Sequence, residues 1–130
     1  MKVPQSLAGA VDAARQAASR AYSPYSSFPV GAALVTKSGR VFTGCNVENA
    51  SYGLTICAER TAIFKAISEG ECDFERIIIY TPTAGFTGPC GACRQVMAEF
   101  APDLEVVSVN QQGRIRRTNL ERLLPDRFRL

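Results

Sequence analysis

The hydrophobic residues in the first part of the chain recur at helical spacing and then stop at a segment rich in proline. Their spacing predicts an amphipathic helix from Leu7 to about Arg20, with Ser6 as its N-cap. The segment YSPYSSFPV at 22–30 follows, and its two prolines predict irregular backbone. The apolar stripe of this helix consists of Leu7, Val11, Ala14 and Ala18.

The middle of the chain changes to a strand pattern and then to a polar loop. Residues 30–45 predict a β-hairpin, because strand-forming residues flank the turn at 37–39. NVENASYGLT at 46–55 predicts a loop. In extended backbone its Asn46 and Glu48 would project to the same side, since they are two residues apart. The alternative for both is turn chemistry, in which such side chains bond to nearby backbone.

The second half of the chain alternates helical and strand patterns. A helix is predicted from Cys57 to Glu69, with Gly70 as the residue after it. The continuous apolar run at 77–79 is typical of a strand buried on both faces. The remaining elements are a helix from about 90 to 100, a strand over 104–109 and a short last helix from Thr118-Asn119 to Leu124.

The order of these elements predicts an α/β protein with a three-layer α/β/α sandwich and a mixed sheet. The length of 130 residues and the 46% hydrophobic content suit one domain over residues 1–130. The first twenty residues have no continuous apolar run, so we expect neither a signal peptide nor a membrane span. Five cysteines without a secretory signal are more typical of thiols or metal ligands than of disulfides. We therefore expect a cytoplasmic protein.

The charge of the chain is small but unevenly distributed. The net charge is +3, which is too small to indicate a nucleic-acid partner on its own. The arginine-rich end favours a solvated or subunit-facing surface, with a nucleic-acid patch as the alternative. The chain has no histidine, so chemistry near pH 7 must use carboxylate, thiolate or a metal-activated water. The last seventeen residues contain Arg114, Arg116, Arg117, Arg122, Arg127 and Arg129.

Two short motifs, CAER and PCGACRQ, carry the candidate chemistry at the starts of two predicted helices. Cys90 and Cys93 are three residues apart and lie on one face of a helical turn. Cys57 and Glu59 lie at the start of the other helix. There, one of the two can bind an ion while the other lies beside the open coordination position of that ion. Three soft ligands beside a free carboxylate are typical of a catalytic zinc site with one position left for water.

Two other interpretations of the cysteines remain open on the residues alone. A redox dithiol would use Cys90 and Cys93 but would leave the CAER motif without a role. A structural zinc site normally needs four protein ligands, and its fourth could only be Cys45 or Cys72. Neither of these two has a second cysteine at the short spacing of a zinc knuckle.

Arg60 directly follows the candidate carboxylate and is a candidate for tuning the charge of the site. Three thiolates around a divalent ion leave about one net negative charge, which disfavours ionisation of a bound water. Helix N-termini oppose this charge through their backbone N–H groups. The guanidinium of Arg60 could donate to the thiolates as well. The alternative is an exposed helical arginine.

The motifs of this chain resemble those of cytidine deaminases of the small, homotetrameric, three-cysteine type, almost from end to end. The resemblance implies a cytidine deaminase-like fold with a five-stranded sheet and one Zn²⁺ per subunit. It also implies hydrolysis of cytidine and deoxycytidine to uridine and deoxyuridine, with release of ammonia, as in pyrimidine salvage. The stretches that carry it are YSPYSSFPVGAAL at 22–34, GCNVENASYGLTICAERTAI at 44–63, GPCGACRQVMAEF at 88–100 and LLPDRF at 123–128.

The same resemblance implies a role for each site residue. Zinc would be held by Cys57, Cys90 and Cys93, and Glu59 would move protons while water attacks C4 of the cytosine ring. Asn46 and Glu48 would bind the ribose, which replaces turn chemistry as their expected role. The other assignments are Phe28 packing on the base, backbone groups of Ala58 and Cys90 facing the base and the water, and Tyr52 and Phe128 reaching across subunit interfaces.

Three rival functions stay open beside nucleoside deamination. A deaminase of a larger cytosine nucleoside, such as blasticidin S, would share the zinc motifs but is not expected to keep the NVEN sequence unchanged. Deamination of a polynucleotide is disfavoured, because 130 residues leave no extension to grip a strand. A non-catalytic, zinc-stabilised binding module would use the arginine-rich end instead.

Overall fold

A mixed five-stranded sheet forms the centre of the fold, with the strand order β2-β1-β3-β4-β5. The computed structural model describes all 130 residues. The strands are β1 (Gly31–Thr36), β2 (Val41–Cys45), β3 (Phe74–Tyr80), β4 (Glu105–Val109) and β5 (Ile115–Asn119), and the helices are α1 (Ala8–Ala18), α2 (Ala58–Ser68), α3 (Gly91–Phe100) and α4 (Leu120–Leu123).

The helices cover both faces of the sheet, which confirms the predicted α/β/α layers. α1 packs on one face, in a core that includes Val11 and Ile78. α2 and α3 pack on the other face, in a core that includes Ile63, Ile77 and Met97. Consecutive isoleucines of β3 therefore point into opposite cores, as expected for a strand buried on both faces. No helix combines the length and the apolar character needed to cross a bilayer.

The strand pairing brings the starts of α2 and α3 to the same end of the sheet. Gly31 at the start of β1 is paired with Cys45 at the end of β2 and with Tyr80 at the end of β3. β3 and β4 are parallel, and α3 is the helix of the crossover between them. The segments that leave β2 and β3 at this end lead to the CAER and PCGACRQ motifs.

Gly44 allows α2 to approach the sheet closely. A Cβ atom at this position would lie 2.5 Å from the carbonyl oxygen of Ala58 and 2.6 Å from the backbone nitrogen of Ala62. No side chain fits in that space, so the first turn of α2 rests directly on β2. This contact fixes the height of Cys57 above the sheet.

The structure corrects the prediction for the first helix. Ser6 lies inside a 3₁₀ turn at Gln5–Leu7, and no side chain caps α1. The backbone N–H of Leu7 donates to the carbonyl of Pro4, so the chain is already turning before the helix begins. α1 then ends at Ala18 and not at Arg20. The predicted apolar stripe is nevertheless buried.

The fifth strand was implied by the family resemblance but not by the hydrophobic pattern. β5 has a single buried apolar residue, Ile115, among polar ones, because it is an edge strand. One of its arginines forms an ion pair with the neighbouring strand β4: the Arg117 guanidinium donates to the Glu105 carboxylate at 2.7 Å and 3.1 Å. The last helix begins at Leu120 because the Asn119 side chain accepts from the backbone N–H of Arg122.

Candidate metal centre

Three cysteine sulfurs converge at the starts of α2 and α3. The Sγ atoms of Cys57, Cys90 and Cys93 all lie within 4.8 Å of one another, and those of Cys57 and Cys90 are 3.7 Å apart. Tetrahedral zinc with Zn–S bonds of about 2.3 Å places its sulfurs about 3.8 Å apart. The donor set and its spacing therefore fit one zinc ion.

The two helix starts orient these thiols. Cys57 is the N-cap of α2 and Cys90 is the N-cap of α3, both with extended backbone. The Cys90 sulfur accepts a hydrogen bond from the backbone N–H of Cys93 at 3.5 Å. The positive ends of two helices thus face the cluster and favour thiolate over thiol.

Without a metal, the thiols of the cluster share protons unequally. The pKa of Cys57 is lowered to about 5, first by the hydrogen bond with Cys93 and then by the one from Arg60. The pKa of Cys93 is raised, because its thiol donates to Cys57 and is buried. These shifts favour a thiolate at Cys57 and a thiol at Cys93. Cysteine binds metal as the thiolate, so a divalent cation would replace the proton of Cys93.

Arg60 makes the thiolate contact proposed from its position. One terminal nitrogen of its guanidinium lies 3.5 Å from the Cys57 sulfur, and its Nε is buried without a partner. The hydrogen bond to Cys57 raises the pKa of Arg60, which keeps its charge. The side chain is half-buried and turned toward the cluster. Arg60 is therefore not the freely exposed helical arginine of the alternative interpretation.

Glu59 is a buried carboxyl group beside the sulfurs. It is only 5% exposed, yet it lines the cavity that opens over Cys57 and Cys90. Burial raises its pKa to about 7, with the negative charge on Cys57 adding to the effect. A carboxyl group that titrates near neutral pH can both accept and donate a proton.

A cavity of about 400 Å³ lies above this centre. That volume is within the usual range for a small-molecule site. Most of the predicted substrate residues face it, although they come from separate segments of the chain. The predicted residues in its lining are Phe28, Asn46, Glu48, Ala58 and Glu59, together with the two ligands Cys57 and Cys90.

Asn46 and Glu48 also hold the loop that forms one wall of the cavity. The Asn46 amide accepts from the backbone N–H of Val30 at 2.8 Å and donates to the carbonyl of Phe28 at 2.9 Å. Glu48 accepts from the backbone N–H groups of Tyr25 and Ser26 and from the Ser26 hydroxyl. The Ser26 hydroxyl chiefly lowers the pKa of Glu48. These partners lie 16 to 23 residues away in the chain, so the contacts are long-range and are not the local bonds of turn chemistry. They coexist with the place of both side chains in the cavity lining.

The structure places two of the predicted residues outside the main cavity. Tyr52 is 76% exposed and packs edge-to-face on Tyr25, beside an adjoining pocket. Phe128 is 69% exposed and lies with the C-terminal residues against α3, where its carbonyl accepts from Gln95 at 3.5 Å. Contacts of either residue with a second subunit stay predictions.

Sequence reasoning missed several residues of the cavity wall. Ser26 lies in a segment predicted only as irregular, and its link to Glu48 spans 22 residues of sequence. Thr87 and Gly88 could have been suspected, since they directly precede the PCGACRQ motif. Cys45 and Cys72 are not part of the sulfur cluster, so a four-cysteine site does not form. The other lining residues are Val30, Thr55 and Ile56.

Comparisons with known proteins agree with this geometry. The family described as "Cytidine and deoxycytidylate deaminase zinc-binding region" matches residues 5–109. A cytidine deaminase of Halalkalibacterium halodurans is 55% identical over 114 residues, which cover 87% of this chain and 86% of the relative. A blasticidin-S deaminase of Bacillus cereus is 33% identical over 107 residues and 76% of each chain.

A solved structure gives the same result for the fold. The crystal structure of a cytidine deaminase from Burkholderia pseudomallei superposes with a TM-score of 0.89 at 55% sequence identity. The match covers 93% of this chain and 98% of that one. The cytidine deaminase-like fold expected from the motifs is therefore confirmed.

Proposed function

Because this chain belongs to the cytidine and deoxycytidylate deaminase family, we propose that it hydrolyses cytidine and deoxycytidine to uridine and deoxyuridine, releasing ammonia. One observation carries the proposal: three converging sulfurs and the buried carboxyl group of Glu59 meet below a cavity sized for a nucleoside. Recovery of uridine from cytidine in this way is a step of pyrimidine salvage.

Zinc would be held by Cys57, Cys90 and Cys93. When bound, the ion supplies Lewis-acid activation of water near neutral pH. The helix starts and Arg60 offset the negative charge that three thiolates bring. A reducing compartment such as the cytoplasm would keep these cysteines reduced and available to the metal.

Glu59 is the proposed proton carrier. It takes a proton from the attacking water and passes it to N3 of the cytosine ring as the C4–O bond forms. The second proton moves from the C4 hydroxyl through Glu59 to the amino group, and the C4–N bond breaks to release ammonia. Water and cytidine are thus converted to uridine and ammonia with no net gain or loss of protons. A pKa near 7 suits both transfers.

The remaining cavity residues would orient the nucleoside. Phe28 would pack on the base, and backbone groups of Ala58 and Cys90 would face its polar edge. Asn46 and Glu48 would bind the ribose hydroxyls with the donors and lone pairs that the loop contacts leave free. Because the same two side chains hold the loop that carries Phe28, the sugar and base sites would form as one unit.

We expect free cytosine to be a much poorer substrate than cytidine. Without the sugar hydroxyls, the polar groups of Asn46 and Glu48 that face the cavity stay unpaired, so kcat/KM should fall by roughly 10⁴-fold. Ammonia release from both compounds measures this ratio, with deoxycytidine as the control that keeps a sugar. Similar efficiency on the bare base would mean that the pair only shapes the loop.

Arg60→Ala should slow the reaction and loosen zinc. A hydrogen bond to a charged group contributes roughly 1.5–3 kcal/mol, so we expect kcat to fall about 10- to 100-fold. Adding Cys57→His removes one negative charge and should recover part of that loss. A double-mutant cycle on kcat and on zinc retention measures the coupling between these residues. Strictly additive effects would show that Arg60 acts elsewhere.

A homotetramer whose sites are completed by neighbouring subunits is the proposed assembly. Four large apolar side chains of the segments beside the cavity are exposed: Tyr22, Tyr25, Tyr52 and Leu54. Of these, Tyr25 and Tyr52 line the adjoining pocket. Grouped exposed apolar side chains are typical of interaction sites. Phe128, on the exposed C-terminal segment, would enter a neighbour's site.

Blasticidin S is the second candidate substrate, because a named blasticidin-S deaminase is among the relatives. Its larger group in place of ribose would have to fit beside Asn46 and Glu48. Zinc analysis combined with ammonia release from cytidine, deoxycytidine and blasticidin S tests both candidates. Zinc without release of ammonia from any of them would favour a non-catalytic, zinc-stabilised binding module.

A further inference from the structure

The guanidinium of Arg94 joins two distant parts of the backbone near the metal centre. Its Nε donates to the carbonyl of Pro89 at 2.8 Å. One terminal nitrogen donates to the carbonyl of Leu123, the last residue of α4, at 2.9 Å. The side chain leaves the first half of α3 and is partly buried. Both of these partners are main-chain carbonyls, so their positions depend on the backbone and not on flexible side chains.

The Pro89 carbonyl belongs to the peptide bond that leads directly into Cys90. The N–H of this peptide is that of Cys90, and its carbonyl oxygen is the atom to which Arg94 donates. The hydrogen bond from Arg94 therefore fixes the plane of the peptide on which the Cys90 backbone turns. That plane sets where the Cys90 sulfur lies, 3.7 Å from the sulfur of Cys57.

The second carbonyl ties this peptide to the C-terminal part of the chain. Leu123 ends α4, whose first residue, Leu120, is buried in the core with α2 and α3. The backbone at Leu123 is thus held by the core and offers Arg94 a rigid support. Through one guanidinium, the loop before Cys90 is braced against an element far from it in sequence.

We propose that Arg94 is a positioning residue for the metal centre, which keeps Cys90 in ligand geometry by bracing the Pro89 peptide against α4. The inference rests on the zinc site of the proposed function. Arg94 does not line the cavity, so its influence is exerted through Cys90 and not through contact with substrate. Partners that orient metal ligands typically change metal affinity or activity by about 10- to 100-fold when removed.

Arg116 provides a matched control for the charge of Arg94. Terminal nitrogens of Arg94 and Arg116 lie 3.6 Å and 3.9 Å from the point that a Cβ on Gly88 would occupy. Both guanidinium groups therefore flank the same residue of the loop. Arg116, however, lies over the ring of Phe86, 5.4 Å from its centroid. If only the positive charge mattered, loss of either arginine would have the same effect.

The test compares Arg94→Gln, Arg94→Lys and Arg116→Gln with the unmodified protein. Each is loaded with Co²⁺, whose absorption reports ligand geometry, and with Zn²⁺ for kinetics and for transfer to a chelator. For both Arg94 variants we expect altered cobalt bands, about 10- to 100-fold faster zinc loss and a similar fall in kcat, with KM within about threefold. Lysine keeps the charge but lacks the fork that reaches two carbonyls. Arg116→Gln should stay within about twofold.

Several outcomes would decide against this role. If Arg94→Gln fails to fold, Arg94→Lys carries the comparison, and unmodified cobalt bands in that variant overturn the proposal. Equal effects of the Arg94 and Arg116 variants would assign the effect to charge. A failure of the proposed function would look different. In that case the unmodified protein would bind Co²⁺ but release no ammonia from cytidine, and the Arg94 variants would still show altered cobalt bands.

Discussion

Glu59→Gln should leave zinc bound and the fold intact while kcat falls by roughly 10⁴-fold or more. Each general acid–base step contributes roughly 10²–10⁴, and Glu59 is the proposed carrier for two successive transfers. Glutamine is close to glutamate in shape, so it can occupy the same buried place but cannot accept a proton. Ammonia release, zinc content and the melting temperature measure the three properties.

An exposed glutamate supplies the control for this experiment. Glu99 lies on α3 and is exposed, so Glu99→Gln makes the same chemical change away from the sulfurs. It should keep the original activity. Near-normal turnover by Glu59→Gln would remove Glu59 from the mechanism, and loss of zinc in that variant would show that the carboxylate acts mainly as a ligand.

Serine in place of Cys57, Cys90 or Cys93 should abolish zinc binding and activity together. Each of these residues supplies one of only three protein ligands, and a serine hydroxyl is a far weaker donor to zinc than a thiolate. We expect a zinc content near zero after dialysis and turnover below about 1% of the original, since loss of a residue that only orients a ligand already costs about 10- to 100-fold.

The other two cysteines test whether the site is open or closed. Cys45→Ser and Cys72→Ser should both retain zinc and turnover, because neither sulfur is near the cluster. Cys72 is exposed and Cys45 is half-buried, so only Cys45→Ser should cost some packing energy. A requirement for either one in zinc binding would indicate a four-ligand structural site and contradict the enzyme proposal.

The metal ligands could be predicted from the sequence because their signal is local. Cys90 and Cys93 are one helical turn apart, and Cys57 stands beside Glu59 at the start of another helix. The absence of histidine then left few alternatives. The layer order was equally accessible, since the three isoleucines of β3 show burial on both faces without any structural information.

The parts that were missed depend on contacts between distant segments. Ser26 bonds to Glu48 across 22 residues, and Arg94 reaches Leu123 across 29 residues. No periodic pattern encodes such pairs. The hydrophobic pattern did not predict β5 for a different reason. An edge strand needs only one buried side chain, here Ile115, so its sequence lacks the apolar run that indicates a strand.

The pairing of the strands also gives the molecule one end that carries the metal-binding segments and one end that does not. Cys45, Gly31 and Tyr80 meet at the end from which the metal-binding segments depart. The hairpin turn at 37–39 lies at the opposite end, where its side chains are exposed and Gly39 has a φ of 93°. Exposed turns of this kind are where proteins accept inserted sequence. For protein engineering, an epitope or a fluorophore attachment point belongs in that turn, a full strand length from the zinc ligands.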